Sequence, residues 1–286
     1  MSLALFYGGQ LAYLRGDSRK KGWGMGSKLE KILDKVANIG LEYSYDNFGN
    51  PKIEKASGKI KSETVRYLND TGQVYETPSG IDRKYAKGGQ LLVSKNRKYT
   101  YNECGDLIEK READGRLWKY EYNIAGLMTK VVRPDRKEVT FTYDPLARRV
   151  SKSFEGKTTK YMWDGNKIVH ELVEDESVKE TPITWLYEED SFTPILKITE
   201  QQTYSIISDH LGTPLKMVDE SGVVVWNETF DLWGKEHLET KTQSFGGYSV
   251  TKPVVRKAKE SEELPFRYQG QYYDVETQLV YNRFRY

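Results

Sequence analysis

The sequence predicts a mostly β protein whose serial hairpins form one long antiparallel sheet. Three observations lead to this prediction: the tyrosine content, the glycine content and a turn motif that recurs every 16 to 23 residues. The 286 residues include 21 tyrosines, whose rings suit the pleated, half-buried surface of a sheet. The 24 glycines indicate many tight turns.

The recurring motif is an aromatic residue, then Asp or Asn, two further residues and Gly. Its copies include Tyr45, Asp46 and Gly49; Tyr101, Asn102 and Gly105; Tyr122, Asn123 and Gly126; Tyr143 and Asp144, with Ala147 in place of glycine; and Phe230, Asp231 and Gly234. An Asp or Asn side chain accepts hydrogen bonds from the backbone just after it, and Gly adopts a positive φ. We therefore interpret the acidic residues as turn formers and not as metal ligands or catalytic carboxylates.

Between the motifs, the residues alternate as they do in half-buried strands. Trp118, Tyr120 and Tyr122 fall on one face of a strand, with charged residues between them. A second turn signal, such as Asp114-Gly115, divides each of the later intervals. Each repeat therefore predicts one β-hairpin.

The chain divides into three predicted regions. Residues 1–40 form an arm with one short helix, residues 41–165 hold the repeats, and residues 166–286 form a further β region with a long loop at 236–264. The helix is suggested by Ser27 as a cap, by helical spacing of Leu29, Ile32, Leu33 and Val36, and by Gly40 as a stop. A helix that plugs one end of a sheet is favoured over a partner-binding helix.

Charge and composition argue against several functional classes. The 44 basic and 42 acidic residues leave a net charge of +2, which argues against a dedicated nucleic-acid surface. Cys104 is the single cysteine, so an internal disulfide is impossible. No stretch has the length and hydropathy of a membrane span, and the first residues make a poor signal peptide. We expect neither a cofactor nor a metal.

An enzyme active site is not expected in this chain. The histidines are His170, His210 and His237, and their spacing matches no metal site. Asp209 and His210 precede Gly212, and we interpret them as residues that hold a turn by hydrogen bonds. Neither these residues nor Cys104 has a catalytic partner nearby in the sequence.

Taken together, the motifs resemble the Rhs/YD-repeat family and its C-terminal core. The repeats match the family's YD pattern, and three later blocks follow in the family's order. These blocks begin at Asp209, at Phe230-Asp231 with Trp233-Gly234, and at Tyr273-Asp274. Gln278 stands where the family usually has Gly. In the family, the self-cleavage segment and a toxin domain follow the block that ends here at Tyr286, so no family catalytic residue is carried over.

The resemblance implies a spiralling sheet that winds into a hollow β-shell around a C-terminal toxin. The chain would then be a scaffold fragment of a larger bacterial protein that is secreted or displayed at the cell surface. Its implied partners are the toxin domain, other shell segments and a secretion apparatus, and free strand edges would allow self-association. The alternative is a surface-binding module that stacks sugars on Trp163, Trp185, Trp226 and Trp233, although core packing is favoured for each ring.

Overall fold

The computed structural model describes residues 2–7, 10–15, 28–34, 39–45, 51–58, 62–69, 71–175, 178–209, 211–228, 240–245, 248–253, 263–268, 270–283 and 286. These residues form β-strands and no helix, and so include no helical segment with the length and hydropathy of a membrane span. Internal contacts divide the chain into two units. The first comprises residues 1–83 and 230–257, and the second comprises residues 84–229 and 258–286.

The first unit contains a six-stranded antiparallel meander in which each strand pairs with the next. Its strands are β1 (Ser2–Tyr7), β2 (Gln10–Arg15), β3 (Lys28–Asp34), β4 (Ile39–Tyr45), β5 (Pro51–Gly58) and β6 (Ser62–Val65). Two separate hairpins are formed by β7 (Tyr67–Leu68) with β8 (Val74–Tyr75) and by β24 (Thr240–Phe245) with β25 (Tyr248–Pro253).

The prediction of a short helix before Gly40 is wrong. Its central residues form strand β3, which pairs with β2 through Leu33 and Leu11 and with β4 through Leu33 and Gly40. A short run of apolar residues fits a helix face or a strand equally well. Pairing on both sides satisfies the backbone hydrogen bonds of β3, and this outweighs the local spacing. Ser27 and Val36 lie outside the described residues.

The long loop predicted at 236–264 is also only partly a loop. It contains the hairpin β24–β25, whose six residue pairs run from Thr240↔Pro253 to Phe245↔Tyr248. This hairpin is not part of either large sheet. Glu263 and Leu264, at the end of the predicted loop, belong instead to the second unit.

The second unit is built on a fifteen-stranded antiparallel sheet whose strand order follows the chain order. Its strands are β9 (Arg83–Tyr85), β10 (Leu91–Ser94), β11 (Arg97–Tyr101), β12 (Leu107–Arg111), β13 (Leu117–Tyr122), β14 (Met128–Val132), β15 (Glu138–Tyr143), β16 (Arg149–Phe154), β17 (Lys157–Asp164), β18 (Lys167–Asp175), β19 (Val178–Tyr187), β20 (Pro194–Ile198), β21 (Thr203–Ser208), β22 (Pro214–Val218) and β23 (Val224–Asn227). The sheet continues across residue 165, where the sequence analysis placed a boundary between regions.

A bulge recurs at the end of the strands that precede the motif turns. The register shifts between Glu121 and Tyr122, between Thr142 and Tyr143, and between Met162 and Trp163. A bulge sets one extra residue against the partner strand and strengthens the local twist. The motif aromatic therefore ends its strand at a defined kink.

One face of this sheet is buried and the other is largely exposed. The predicted alternation of buried apolar residues with exposed polar residues is clearest along β13 and β15. On β13 and β15 the buried residues are Trp118, Tyr120, Val139 and Phe141. Met128 and Val131 of β14 complete this cluster, against which Leu279 and Tyr286 pack.

The C-terminal segment supplies the second layer. Residues 263–286, which we call the strap, contain the hairpin β26 (Tyr272–Asp274) and β27 (Leu279–Tyr281). The strap covers the buried face of the sheet within the second unit. Phe266 also forms an isolated bridge with Tyr272.

Candidate functional site

The motif turns share one hydrogen-bond arrangement. Asn123 Oδ1 accepts the backbone N–H groups of Ala125 at 3.0 Å and Leu127 at 3.0 Å, and the backbone N–H of Gly126 donates to the carbonyl of Asn123. Asp144 and Asp209 accept the corresponding pairs of N–H groups. Asn102 Oδ1 accepts from the N–H of Asp106. The side-chain oxygen thus satisfies donors that the tight turn leaves unpaired.

The final motif position adopts a left-handed backbone even where it is not glycine. Gly105, Gly126 and Gly212 have φ values of 90°, 72° and 80°. Ala147, which replaces the glycine in its copy, has φ 61°. Gln278 of the strap also has a positive φ, 58°, but it stands one position later in its copy, four residues after Asp274. The departure from the family pattern at Gln278 therefore leaves the turn geometry intact at the expense of backbone strain.

The motif aromatics reach back to the preceding repeat. Tyr122 Oη donates to the carbonyl of Leu107 at 3.0 Å, and Tyr143 Oη donates to that of Met128 at 2.6 Å. The same bond is made by Tyr101 to Leu91, by Trp163 Nε1 to Arg149 and by Tyr187 to Ile168. Each ring therefore packs on the buried face while its polar tip links adjacent hairpins.

Several predicted motif residues cannot be placed in this way. Tyr45 ends strand β4 at a bulge opposite Pro51. Asp46, Gly49, His210, Phe230, Asp231 and Gly234 lie outside the described residues. Tyr273 is half-buried, and the guanidinium carbon of Arg267 lies 4.7 Å from the centre of its ring.

Asp274 differs from the other motif carboxylates, because its side chain does not hold its own turn. Its carbonyl accepts the N–H groups of Thr277 and Gln278, while its carboxylate is fully buried and forms an ion pair with Arg149. A second cation, Lys152, lies 3.2 Å from Asp274 and 2.8 Å from Glu276. The last motif block is therefore a contact between strap and sheet.

Arg149 is the centre of this contact. It is fully buried, and five rings surround its guanidinium carbon, with centroids 4.4 to 5.9 Å away: those of Phe141, Tyr161, Tyr272, Tyr281 and Tyr286. Burial alone would lower the pKa of Arg149, but the charge of Asp274, its hydrogen bond and the neighbouring tyrosines Tyr161 and Tyr286 together outweigh burial and hold the pKa well above its ordinary value. The guanidinium is thus kept charged in a cage of aromatic faces.

A row of buried charges crosses the same face. Three charged side chains occupy equivalent inward positions on alternate strands: Lys152 on β16, Glu171 on β18 and Lys197 on β20. On the alternate strands at either side, the equivalent residue is apolar: Val131 on β14 and Met217 on β22. Buried charges are costly unless they are paired and hydrogen-bonded. The strap contributes partners to all three charges.

Glu171 receives hydrogen bonds from both layers. Trp185 Nε1 donates to Oε1 at 2.8 Å from the sheet, and Tyr272 Oη donates to Oε2 at 2.9 Å from the strap. Burial raises the pKa of Glu171, although these two bonds and the charge of Lys197 act in the opposite direction. Lys197 Nζ donates to the carbonyl of Glu263 at 2.8 Å, so the strap is anchored at its beginning as well.

The three catalytic candidates that the structure describes, His170, Cys104 and Asp209, lie in separate local settings. His170 Nδ1 lies 2.9 Å from Thr184 Oγ1 on the exposed face, and Cys104 is exposed at a turn. Asp209 is engaged in its turn, and His237 is not described. Among the residues that the structure describes, no three His, Cys, Asp or Glu side chains cluster as metal ligands would.

The three described tryptophans among those proposed for sugar stacking, Trp163, Trp185 and Trp226, are buried or half-buried. Trp185 and Trp226 are buried, and Trp163 is half-buried with its Nε1 bonded to the carbonyl of Arg149. Trp185 packs edge-on against Phe266, with centroids 4.8 Å apart. Trp233 lies outside the described residues. Core packing therefore accounts for the three described rings.

The charged residues of the covered face were missed by reading the sequence. A signal was present, because aligning the repeats on Tyr101, Tyr122 and Tyr143 places Leu107, Met128 and Arg149 at the same position. A cation at an aligned position that is apolar in the other repeats indicates a buried charge that needs a partner. Only the folded strap identifies that partner as Asp274.

Comparisons with known proteins agree with this architecture. The model of the teneurin YD-shell family matches residues 30–285. The chain is 24% identical to a double-stranded DNA deaminase toxin A of Burkholderia cenocepacia, aligning over 85% of this chain and 19% of that protein. It is 25% identical to the toxin protein Tse5 of Pseudomonas aeruginosa, over 85% of this chain and 20% of that protein.

A solved structure shows the same fold. The crystal structure of TcdB2-TccC3-TEV superposes with a TM-score of 0.50 at 13% identity, covering 96% of this chain and 16% of that one. The chain spans about a fifth of the length of the two toxin relatives named above. Since the family model covers nearly the whole sequence and the repeats have the expected hairpin form, the chain belongs to the Rhs/YD-repeat family of YD-shell proteins.

Proposed function

We propose that this chain is a structural scaffold, the wall segment of a β-shell that encloses or delivers a toxin domain of the same larger protein. The observation that carries the proposal is the strand order of β9–β23, in which every strand pairs only with its neighbours in the chain. A meander of this kind can be lengthened by further hairpins without a change of topology. A wall built from repeats requires that property.

The relatives support a division of labour within a longer protein. The two toxins named above are each about five times longer than the region they share with this chain. We propose that the shared region provides the container and that toxic chemistry is carried elsewhere in such proteins. In this chain, Asp144 and Asp209 serve turns, and Asp274 and Glu171 serve the contact with the strap.

The proposed partners follow from the two surfaces of the wall. Further shell segments would pair with the terminal strands of the sheet, β9 and β23, which offer backbone hydrogen-bonding groups. The outer face carries cross-strand ion pairs such as Lys130–Glu121 and Lys160–Glu174, which favour solubility. We propose that the protein acts outside the cytoplasm of a bacterium, with a secretion apparatus as a further partner.

A protease-protection experiment tests the scaffold proposal. The complete reading frame that contains this chain is expressed, purified without denaturant and treated with a nonspecific protease, and the surviving fragments are identified by mass spectrometry. We expect a segment other than the wall to resist digestion until urea opens the shell. The variant Thr140→Pro, in the middle of β15, removes a ladder hydrogen bond and should expose that segment.

The matched control is Ile124→Pro. Ile124 is exposed and holds the turn position that Pro145 holds in the next repeat, so proline is compatible there. Protection should survive Ile124→Pro and be lost in Thr140→Pro. Equal digestion of every segment in the unmodified protein would contradict the role as a container.

A further inference from the structure

The strap and the sheet meet as two complementary charged and aromatic surfaces. The sheet contributes three cations, those of Arg149, Lys152 and Lys197, and one carboxylate, that of Glu171. The strap contributes two carboxylates, Asp274 and Glu276, which form ion pairs with Arg149 and Lys152, and the carbonyl of Glu263, which accepts from Lys197. These sheet groups leave an excess of positive charge, which Asp274 and Glu276 of the strap neutralise, while the strap's own buried cation, Arg267, lies 3.7 Å from the carboxylate of Glu228.

The cage around Arg149 is completed only when the strap is in place. Two of its five rings, Phe141 and Tyr161, belong to the sheet, while the other three, Tyr272, Tyr281 and Tyr286, belong to the strap. The Nη1 atom bonds Asp274 and, at 2.7 Å, the hydroxyl of Tyr286. The Nε and Nη2 atoms are buried among the rings and have no hydrogen-bond acceptor among the described residues.

We propose that the covered face of β15–β20 is a recognition site for an acidic, aromatic hairpin, and that the strap occupies it as an intramolecular ligand that can be exchanged for the same sequence supplied in trans. The site binds the carboxylate of Asp274 together with two rings of the same hairpin. These are Tyr272, two residues before Asp274, and Tyr281, seven residues after it. Phe266 provides a fourth anchor, between Trp185 and Tyr272.

The specificity of this site comes from the charge at its centre. A segment with similar rings but no carboxylate would bury the guanidinium of Arg149 beside Lys152 without its counter-charge. Removing one partner of a buried pair is strongly unfavourable, whereas replacing both partners by apolar groups is often tolerated. The site therefore rejects imperfect segments through an unpaired charge, which is a common route to specificity.

The first test asks whether the carboxylate holds the strap. In the full chain, Asp274→Asn should increase hydrogen exchange of the amides in β26 and β27 on the order of 100-fold, while amides in β11–β13 keep their protection. Asp114→Asn serves as control, because Asp114 pairs with Arg116 in an exposed turn of the sheet. The double variant Arg149→Met, Asp274→Asn should restore protection of the strap, since it removes the unpaired cation as well.

The second test asks whether the site binds the same sequence in trans. A tethered segment competes at an effective concentration of about 1 mM, so about 0.1 mM of a labelled peptide of residues 263–286 should occupy roughly a tenth of the wild-type chains. On Asp274→Asn chains, a 100-fold preference for the carboxylate should raise the occupancy to about nine tenths. A peptide that itself carries Asp274→Asn should stay near a tenth on those chains.

These outcomes separate recognition from general packing. Equal binding of the two peptides to Asp274→Asn chains, or simultaneous loss of protection in strap and sheet that the double variant does not reverse, would overturn the proposal. If Asp274→Asn alone unfolds the whole chain, the double variant Arg149→Met, Asp274→Asn still tests the proposal. Recognition through the ion pair requires that the double variant has a folded sheet and a docked strap.

Discussion

The left-handed backbone at Ala147 allows the repeat motif to be tested by an exchange of residues. Ala147 and Gly126 occupy the same position in consecutive repeats, with φ values of 61° and 72°. A Cβ atom built at Gly126 would have no neighbour within 4 Å. Gly126→Ala therefore changes the backbone preference without a new side-chain contact, and Ala147→Gly makes the reverse change of backbone preference.

The expected magnitude follows from two opposing terms. A side chain in the left-handed region costs about 1–2 kcal/mol, while alanine lowers the entropy of the unfolded chain and returns about 0.4–1 kcal/mol. Gly126→Ala should therefore lower the free energy of unfolding by about 1 kcal/mol, and Ala147→Gly should raise it by about the same amount.

Urea unfolding followed by tryptophan fluorescence measures both changes. The double variant should return close to the wild-type stability, because the two turns share no side-chain partner. Circular dichroism should show the same strand content for all four proteins. A destabilising Ala147→Gly, or a neutral Gly126→Ala, would show that the positive φ values are not what the final motif position requires.

Three further predictions concern individual interactions. Tyr122→Phe should lower the free energy of unfolding by about 1 kcal/mol, measured in urea, because the carbonyl of Leu107 loses its hydrogen bond. Asp144→Ala should cost a similar amount by removing the acceptor of two turn N–H groups, whereas Asp144→Asn should cost much less. Burial raises the pKa of Tyr161 to about 12, so the folded state holds the phenolic proton more tightly than the unfolded state does. The free energy of unfolding should therefore fall as pH rises from 10 towards 12. In an ultraviolet titration, the tyrosine ionisation of Tyr161→Phe should be shifted less to alkaline pH than that of the wild type.

The hairpin architecture could be predicted because its determinants are local. Asn123 and Gly126 set a turn by their own side-chain and backbone chemistry, and the alternation of Trp118 and Tyr120 marks a buried face. These signals do not depend on distant residues. The error at Leu29–Leu33 has the opposite origin, because pairing with β2 and β4 decides the conformation there.

The covered face could not be predicted, because its partners are far apart in the chain. Arg149 and Asp274 are separated by 125 residues, and no local pattern connects them. The motif predicts that the side chain of Asp274 forms its turn, as those of the other motif carboxylates do. The folded chain instead uses its backbone for the turn and its side chain for the ion pair.

The position of the buried charges explains why the sheet accepts this strap in preference to other apolar segments. Val131 and Met217 fill the outer positions of the row that contains Lys152, Glu171 and Lys197, so the fold tolerates apolar residues at such sites. An apolar row would dock any hydrophobic segment with little discrimination. Charges at its centre make docking depend on a matched partner, and they raise the cost of leaving the strap undocked or out of register. Lys152, Glu171 and Lys197 thus make burial of the face unfavourable without matched partners, and for that reason they select the hairpin that supplies those partners.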